Sequence, residues 1–329
     1  PIPTLPEIEQ LMVMAHRANK GRAATLPTGN GFCLYIRYDC LKQTGFLRED
    51  IFAQGYGEEN DFCLRAHALG WEHKAALGVY VGHVGAVSFG QNRLALMQRN
   101  EALLEQLHPG YHRKIELWIN ADPLWQARRR IDLVRFRAMG KSNAKAVLCV
   151  THAHGGGVEH VVQQRVKYHQ ERGVRALVLR PTKKGCVLED ARHKKEFPSL
   201  VFNLPSEQNL LHKVLQLEGL QQVEVHHITG YVPSFYGFVH NIGVPYTVFI
   251  HDYAFFCQRV SLLGPHDTYC GEPALQQCVQ CVALASVHTT GDKCTLEAYL
   301  TSSRRFLRAA RRVYTPSQDT AVKMVRHFS

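Results

Sequence analysis

The sequence predicts an α/β protein whose last part, residues 144–329, folds around a parallel sheet with helices on both faces. Three observations predict it. Short runs rich in β-branched and aromatic residues alternate with helical stretches there. A glycine cluster and several histidines fall directly after those runs, where ligands of parallel sheets bind. The whole chain is 45% apolar and 20% charged, an ordinary globular balance that excludes disorder, collagen and coiled coil.

The elements follow in order. Residues 145–150 form an apolar strand that stops at the glycine cluster, and a helix runs on to Arg172. Residues 175–180 form a second strand and 200–203 a weaker third. Residues 223–228 and 246–251 are strands, and 312–315 follows a basic helix over 300–311. Residues 1–118 carry scattered short strands and helices. Between the two parts, 119–143 reads as a basic amphipathic helical bridge. Leu124, Trp125, Ile131, Leu133, Val134 and Phe136 alternate there with Arg128, Arg129, Arg130, Arg135 and Arg137.

With 329 residues, two domains are the prior, since a soluble domain has roughly 100–200. No apolar stretch reaches the roughly 18–20 residues that span a bilayer. The chain opens Pro-Ile-Pro-Thr, without Met or a signal-peptide pattern, and reads as an excised fragment. A net charge of +11 with 19 histidines favours anionic partners. Ten cysteines are too sparse for a disulfide scaffold, so a reducing cytoplasm is expected.

Thr151-His-Ala-His-Gly-Gly-Gly-Val-Glu159 follows the first strand of the sheet and opens a helix. Gly155, Gly156 and Gly157 let the backbone approach a ligand, and the helix N-terminus behind them suits a phosphate. The plain alternative is a strand-to-helix turn. His226 and His227 end one strand, and His251 and Asp252 end the next. A strand-end histidine can contact a sugar hydroxyl or stabilise developing charge.

These stretches, with Val-Tyr-Thr-Pro-Ser317, resemble the N-terminal half of a family-four glycosyltransferase over residues 144–329. The resemblance implies one Rossmann-like domain of a GT-B fold. It implies that Gly155, Gly156 and Gly157 line the cleft near the donor phosphates; His226 and Asp252 are expected to bind substrate from their strand-end positions. His251 matches the histidine that contacts the transferred sugar, and Ser317 the serine that ends the last strand. In that family a second domain, with an E-x7-E element, grips the nucleotide sugar.

The first part has one dense acidic cluster, Gly55-Tyr-Gly-Glu-Glu-Asn-Asp-Phe-Cys-Leu-Arg65. Glu58, Glu59 and Asp61 stand at the start of a helical run, where the helix dipole favours carboxylates. One of them can serve as general base on an acceptor hydroxyl; the plain alternative is N-terminal charge bias. Downstream, Val79-Tyr-Val-Gly-His-Val-Gly-Ala-Val-Ser-Phe89 is expected to form a strand that brings His83, a good divalent-ion ligand, back to the cluster. Upstream, a Gly-containing turn after Thr25 is expected to feed a strand over 32–37.

Residues 32–37, 40–46, 55–65 and 82–89 resemble the acceptor-side half of an inverting family-two glycosyltransferase with the GT-A fold. The resemblance implies that Glu59 is the catalytic base, with Asp61 the second choice, and that Glu58 holds the acceptor. His83 would be the third ligand of a divalent ion, manganese or magnesium. The family's upstream D-x-D has no counterpart, because no two aspartates here are separated by one residue.

Cys257-x12-Cys270-x7-Cys278-x2-Cys281 follows His251. The set suits tetrahedral zinc, although the first spacing is too wide for a standard ribbon. Structural zinc, free thiols, and a disulfide or another metal all stand as readings. The flanking residues resemble a cysteine-bearing insertion of some family-four enzymes. Cys33, Cys40, Cys63, Cys149 and Cys186 read as buried small apolar residues.

Together these readings describe the junction of a two-enzyme polypeptide, peripheral to the inner face of a membrane. It would transfer sugars from nucleotide-sugar donors to a growing surface polysaccharide or lipid-linked glycan. The fragment alone is expected to be inactive. The rival reading is a basic, zinc-bearing, non-enzymatic module that grips nucleic acid. No aromatic residues interleave with the basic runs in a stacking pattern, so a solvated face or a contact with anionic lipid is preferred and nucleic acid is not expected.

Overall fold

The computed structural model describes residues 4–52, 55–83, 93–140, 145–232, 234–284 and 295–328. The chain divides into two compact units, Pro1–Arg135 and Phe136–Ser329.

The first unit is mostly helical. It runs α1 (Leu5–Asn19), β1 (Ala23–Leu26), a 3-10 turn at Gly31–Cys33, α2 (Tyr38–Thr44), α3 (Glu49–Phe52) and α4 (Glu58–Ala68). β2 (His73–Ala76), α5 (Arg93–Leu107), α6 (Tyr111–Ala121) and α7 (Trp125–Met139) follow. β1 and β2 pair antiparallel, Ala23 opposite Ala76. Cys40, Phe62, Cys63 and Ala66 bury one face of α4 against α2, with Trp71 packed on them. Gly57 precedes α4 at φ 126°, a backbone conformation open to glycine but strained for other residues.

Neither of two expected strands forms among the described residues. Residues 34–37 carry no ladder, and the strand near Thr25 lies before the glycine turn rather than after it. Val79–His83 are irregular as well: the Tyr80 amide is spent on the Met12 sulfur, 3.4 Å away, rather than on a neighbouring strand. The rest of that stretch, 84–89, lies outside the described residues. Cys33, expected to be buried, is exposed on the 3-10 turn.

The second unit begins with the last turn of α7 and is built on β3 (Ala146–Val150), α8 (Gly157–Glu171), β4 (Arg175–Thr182), β5 (Gly185–Asp190) and β6 (Val201–Asn203). α9 (Gln208–Leu217), β7 (Leu220–Val225), α10 (Phe235–His240) and β8 (Tyr246–Phe249) follow. α11 (Leu275–Leu284), α12 (Leu296–Ala309), β9 (Arg312–Tyr314) and α13 (Gln318–Phe328) complete it. The strands form one seven-stranded sheet in the order β6-β5-β4-β3-β7-β8-β9. All of β3 is buried, as a central strand covered on both faces must be. Val147 and Cys149 pack with Val162 and Val166 of α8 and with Ala176 and Val178 of β4.

The sheet is mostly parallel rather than wholly so. β4-β3-β7-β8-β9 run parallel, but β5 and β6 run antiparallel at one edge. Thr182 pairs with Gly185, which leaves Lys183 and Lys184 as a two-residue loop. So short a link joins only antiparallel strands. The protein is therefore α/β, with this sheet and a small antiparallel pair. Among the described residues no helix is long and apolar enough to cross a membrane.

The connectivity places the ligand end. From β3 the chain passes through α8 to β4 on one side, while β7 lies on the other side of β3 and leads outward to β8. Adjacent strands whose connections diverge leave a crevice at their carboxyl ends. That crevice lies between the segments that follow β3 and β7.

Candidate functional site

Four histidines and an aspartate meet at that switch point. His226 and His227 follow β7 directly, and both backbone amides donate to the Val150 carbonyl at the end of β3, at 2.8 and 3.3 Å. Tyr231 ties the floor: its buried hydroxyl lies 2.6 Å from the Leu179 carbonyl and 3.1 Å from that of Thr151. His152, in the segment after β3, sets its ring 4.7 Å from that of His227, tilted by 53°.

Hydrogen bonding assigns the protons. The Thr229 amide donates to His227 Nδ1 (3.1 Å), so the ring proton sits on Nε2 and is donated to Asp252 Oδ2 at 2.6 Å. Asp252 Oδ1 accepts the Ala254 amide (2.9 Å). Burial works against the Asp252 carboxylate, but the hydrogen bonds from His227 and the Ala254 amide hold it below the ordinary carboxylate value. His226 Nδ1 and His251 Nε2 are 3.2 Å apart, and His226 Nε2 faces Glu224 Oε2 at 3.7 Å. A proton on His226 Nε2 is favoured by that carboxylate. His226 Nδ1 then accepts from His251 Nε2–H, and His251 Nδ1 keeps its lone pair.

His251 is half-buried, and its pKa is pushed down to about 4 by burial and by the neighbouring His226 and His227. Burial also lowers His226, which is only 1% exposed. His226 therefore cannot touch a ligand: it orients His251, and the structure removes it from the contact set expected from the sequence. Glu224 beneath it is held well below the usual carboxylate range. Burial opposes this, but the Arg165 fork (2.9 and 2.5 Å) and His169 (2.8 Å) outweigh it.

Gly155, Gly156 and Gly157 are exposed, with open space where a side chain would stand, and Gly156 precedes α8 at φ 96°. The first amides of α8 have no intrahelical acceptor, so this loop presents donors beside the histidines. Glu159 in the first turn is engaged by Arg180 (2.9 Å), whose guanidinium also donates to the His152 carbonyl (3.2 Å). Ser317 uses its hydroxyl to accept the Thr320 amide (3.1 Å) and so caps α13. The sequence reading omitted His152, His227, Tyr231 and Arg180 from the site. The first two stood in the motifs already singled out; the others have no local signature.

In the first unit the acidic residues separate in role. Asp61 is fully buried and accepts Arg48 Nε and Arg65 Nε, both at 2.9 Å, and His108 Nε2 at 2.8 Å. Burial is offset by these partners, which lower its pKa. The carboxylate has no free lone pair for an acceptor, so Asp61 is a fold residue and not the second-choice base. Arg65 also donates to the Thr44 and Phe46 carbonyls, clamping the Thr-Gly-Phe turn onto α4.

Glu59 holds the loop opposite, accepting the Gly31 amide at 3.4 Å and the Gly57 amide at 3.3 Å. Glu58 has one buried carboxylate oxygen without a hydrogen-bond partner among the described residues, and burial raises its pKa. His83 stacks on Phe32, ring centroids 4.7 Å apart, beside that loop. Among the described residues no set of three potential ligands includes His83. His83 is thus a single candidate ligand without companions among the described residues.

The set of three that does fall within ligating reach is Cys149, Glu224 and His226, all buried. Arg165 already occupies Glu224 as its cation, and burial pushes the Cys149 thiol up, so these residues do not fit a metal ion. Cys257, Cys270, Cys278 and Cys281 line a separate cavity.

The basic helices differ from each other. Arg128, Arg130 and Arg135 of α7 bond Asp122, Asn19 and Asp132, and Arg129 lies over the Trp125 ring at 4.4 Å. On α12, Arg304, Arg305 and Arg308 are exposed.

The pKa shifts set the acid response. A histidine held neutral by the fold destabilises it once the unfolded chain takes up protons, which begins near pH 6.5, and for His251 the loss continues down to about 4. Asp61 and Glu224, with lowered pKa values, contribute stability above roughly pH 4 that is lost as pH falls through their folded values. The urea midpoint is therefore expected to fall continuously from pH 7 to 3. A flat profile over that range would contradict these assignments.

Family models, curated proteins and solved structures were all compared with the chain, and none matches it.

Proposed function

We propose that this protein is a glycosyltransferase that moves sugars from nucleotide-sugar donors to a growing surface polysaccharide or lipid-linked glycan. The observation that carries the reading is the switch-point cluster: a half-buried histidine and a His227–Asp252 pair at the ends of strands in the same sheet whose β3 leads through an open glycine loop into a helix N-terminus. The loop amides and helix dipole suit a diphosphate leaving group. Neutral His251, with a free Nδ1 lone pair, suits a sugar hydroxyl. Asp252, fixed by His227, offers a second acceptor at the same strand ends. In this reading the group stabilises charge on the departing diphosphate by fixed dipoles.

The first unit is proposed as a second acceptor-side centre. Glu59 deprotonates an acceptor hydroxyl, and Glu58, on the same turn, holds that acceptor. Burial raises the pKa of Glu58, which makes it a better proton acceptor than an ordinary carboxylate, so it is a second position at which to probe this centre. The exposed arginines of α12 suit peripheral contact with anionic lipid.

The test is transfer from labelled nucleotide sugars to glycan acceptors by the native protein. Glu59→Gln or Glu58→Gln is expected to abolish one transfer and leave the other, while His251→Ala impairs only the second. Loss of both from either change would overturn two independent centres. If no nucleotide sugar is turned over or bound, the reading itself fails.

A further inference from the structure

We infer that Cys257, Cys270, Cys278 and Cys281 are the four ligands of a structural zinc ion, which holds together the segment between β8 and α12. The inference is independent of the proposed activity.

These thiols come from three separate places. Cys257 ends the turn after β8, where its amide donates to the Tyr253 carbonyl at 2.8 Å. Cys270 follows the isolated bridge Leu263–Tyr269, and its amide donates to Leu262 at 2.9 Å. Cys278 and Cys281 lie three residues apart on α11, so both face one side. All four line one mostly apolar cavity of about 140 Å³, together with Leu262 and Leu296.

Two further observations point to a cation. The segment is strained. Of seven non-glycine residues with positive φ among those described, four lie here: Val260, Leu262, Asp267 and Glu272. A β-branched residue at φ 70°, as at Val260, persists only where its surroundings over-determine it. The Tyr253 amide donates to the Val260 carbonyl (3.1 Å) and the Val260 amide to that of Cys257 (2.8 Å), and a four-way cross-link would add to these bonds the constraint that fixes the segment. Finally, Arg259 Nε is buried on the cavity wall without a hydrogen-bond partner among the described residues. A metal-bound thiolate is the acceptor it lacks.

The sulfurs do not lie within ligating reach of one another as a set of three. Contraction of the cavity onto an ion with Zn–S of about 2.3 Å brings them there. Binding converts four thiols to thiolates and releases four protons; no oxidant or reductant is needed. The resulting charge of −2 is partly offset by Arg259.

The experiment is metal analysis of protein purified without added metal, followed by cobalt substitution. About one zinc per chain is expected, with cobalt giving thiolate charge-transfer bands and tetrahedral d–d absorption. Cys278→Ser with Cys281→Ser should bring zinc below about a tenth of an equivalent, while Cys33→Ser, an exposed thiol elsewhere, keeps it. Zinc below about half an equivalent in the wild type, with cobalt failing to give the bands, would overturn the inference. So would thiol counting that finds these four cysteines oxidised as disulfides. If the double variant fails to fold, the wild-type cobalt spectrum decides.

Discussion

Replacing His251 with alanine should lower sugar transfer at the switch-point centre by roughly 10²–10⁴-fold, the range in which positioned proton-transferring groups contribute. The side chain is half-buried at the end of β8, and its one internal bond is to His226. Its removal therefore leaves the sheet intact but takes away the Nδ1 lone pair that the bond to His226 leaves unused. His251→Gln, which keeps one acceptor, should recover part of the loss. His240→Ala, on the exposed end of α10, should have no effect. A readout independent of turnover accompanies this. The His251 ring should titrate near pH 4 by NMR, because burial and two neighbouring imidazoles disfavour its charged form. Titration near the ordinary histidine value would mean that the cluster is open to water, and the proposed role would lose its basis.

Arg175→Met should destabilise the second unit by about 3–5 kcal/mol, the cost of breaking a buried ion pair from one side. Arg175 is buried at the start of β4. Its Nε donates to Asp190 Oδ2 at 2.7 Å, another nitrogen donates to Glu218, and a third to the Phe136 carbonyl at 3.1 Å. The guanidinium also lies 4.3 Å over the Phe136 ring. Losing it strands two buried carboxylates at once. Burial already raises Glu218 despite Arg175, so that residue should take up a proton in the variant. Arg175→Lys should not rescue, since a point charge cannot serve three divergent acceptors. Adding Asp190→Asn and Glu218→Gln to Arg175→Met should return part of the stability, because the stranded charges are then gone. At roughly 2–4 °C per kcal/mol, the single variant should melt about 10 °C lower. A shift within 2 °C would show the network to be solvated.

Much of the second unit was legible beforehand because its signals are local. A buried strand between two helical layers needs a run such as Ala-Val-Leu-Cys-Val, and a tight strand-to-helix link needs glycine. The antiparallel edge was missed although Thr-Lys-Lys-Gly reads as a two-residue hairpin, because the alternation around it invited a third parallel strand. In the first unit, Val79-Tyr-Val81 carries strand-favouring residues, yet residues 79–83 are irregular. Residue type reports that a strand would be tolerated; it cannot report that a neighbour is present.

The same division holds for chemistry. Residue type and strand-end position were enough to single out Gly155–Gly157, His226, His251, Asp252 and the four spaced cysteines, since covalent order and strand polarity decide which residues reach one sheet edge. Tertiary structure alone decided that Asp61 is consumed by Arg48, Arg65 and His108, that His226 is sealed behind His251, and that Ser317 caps a helix. Whether a carboxylate or imidazole is free to meet a ligand depends on which distant side chains claim its lone pairs. Those partners lie up to 47 residues away in the chain, so no local pattern carries the information.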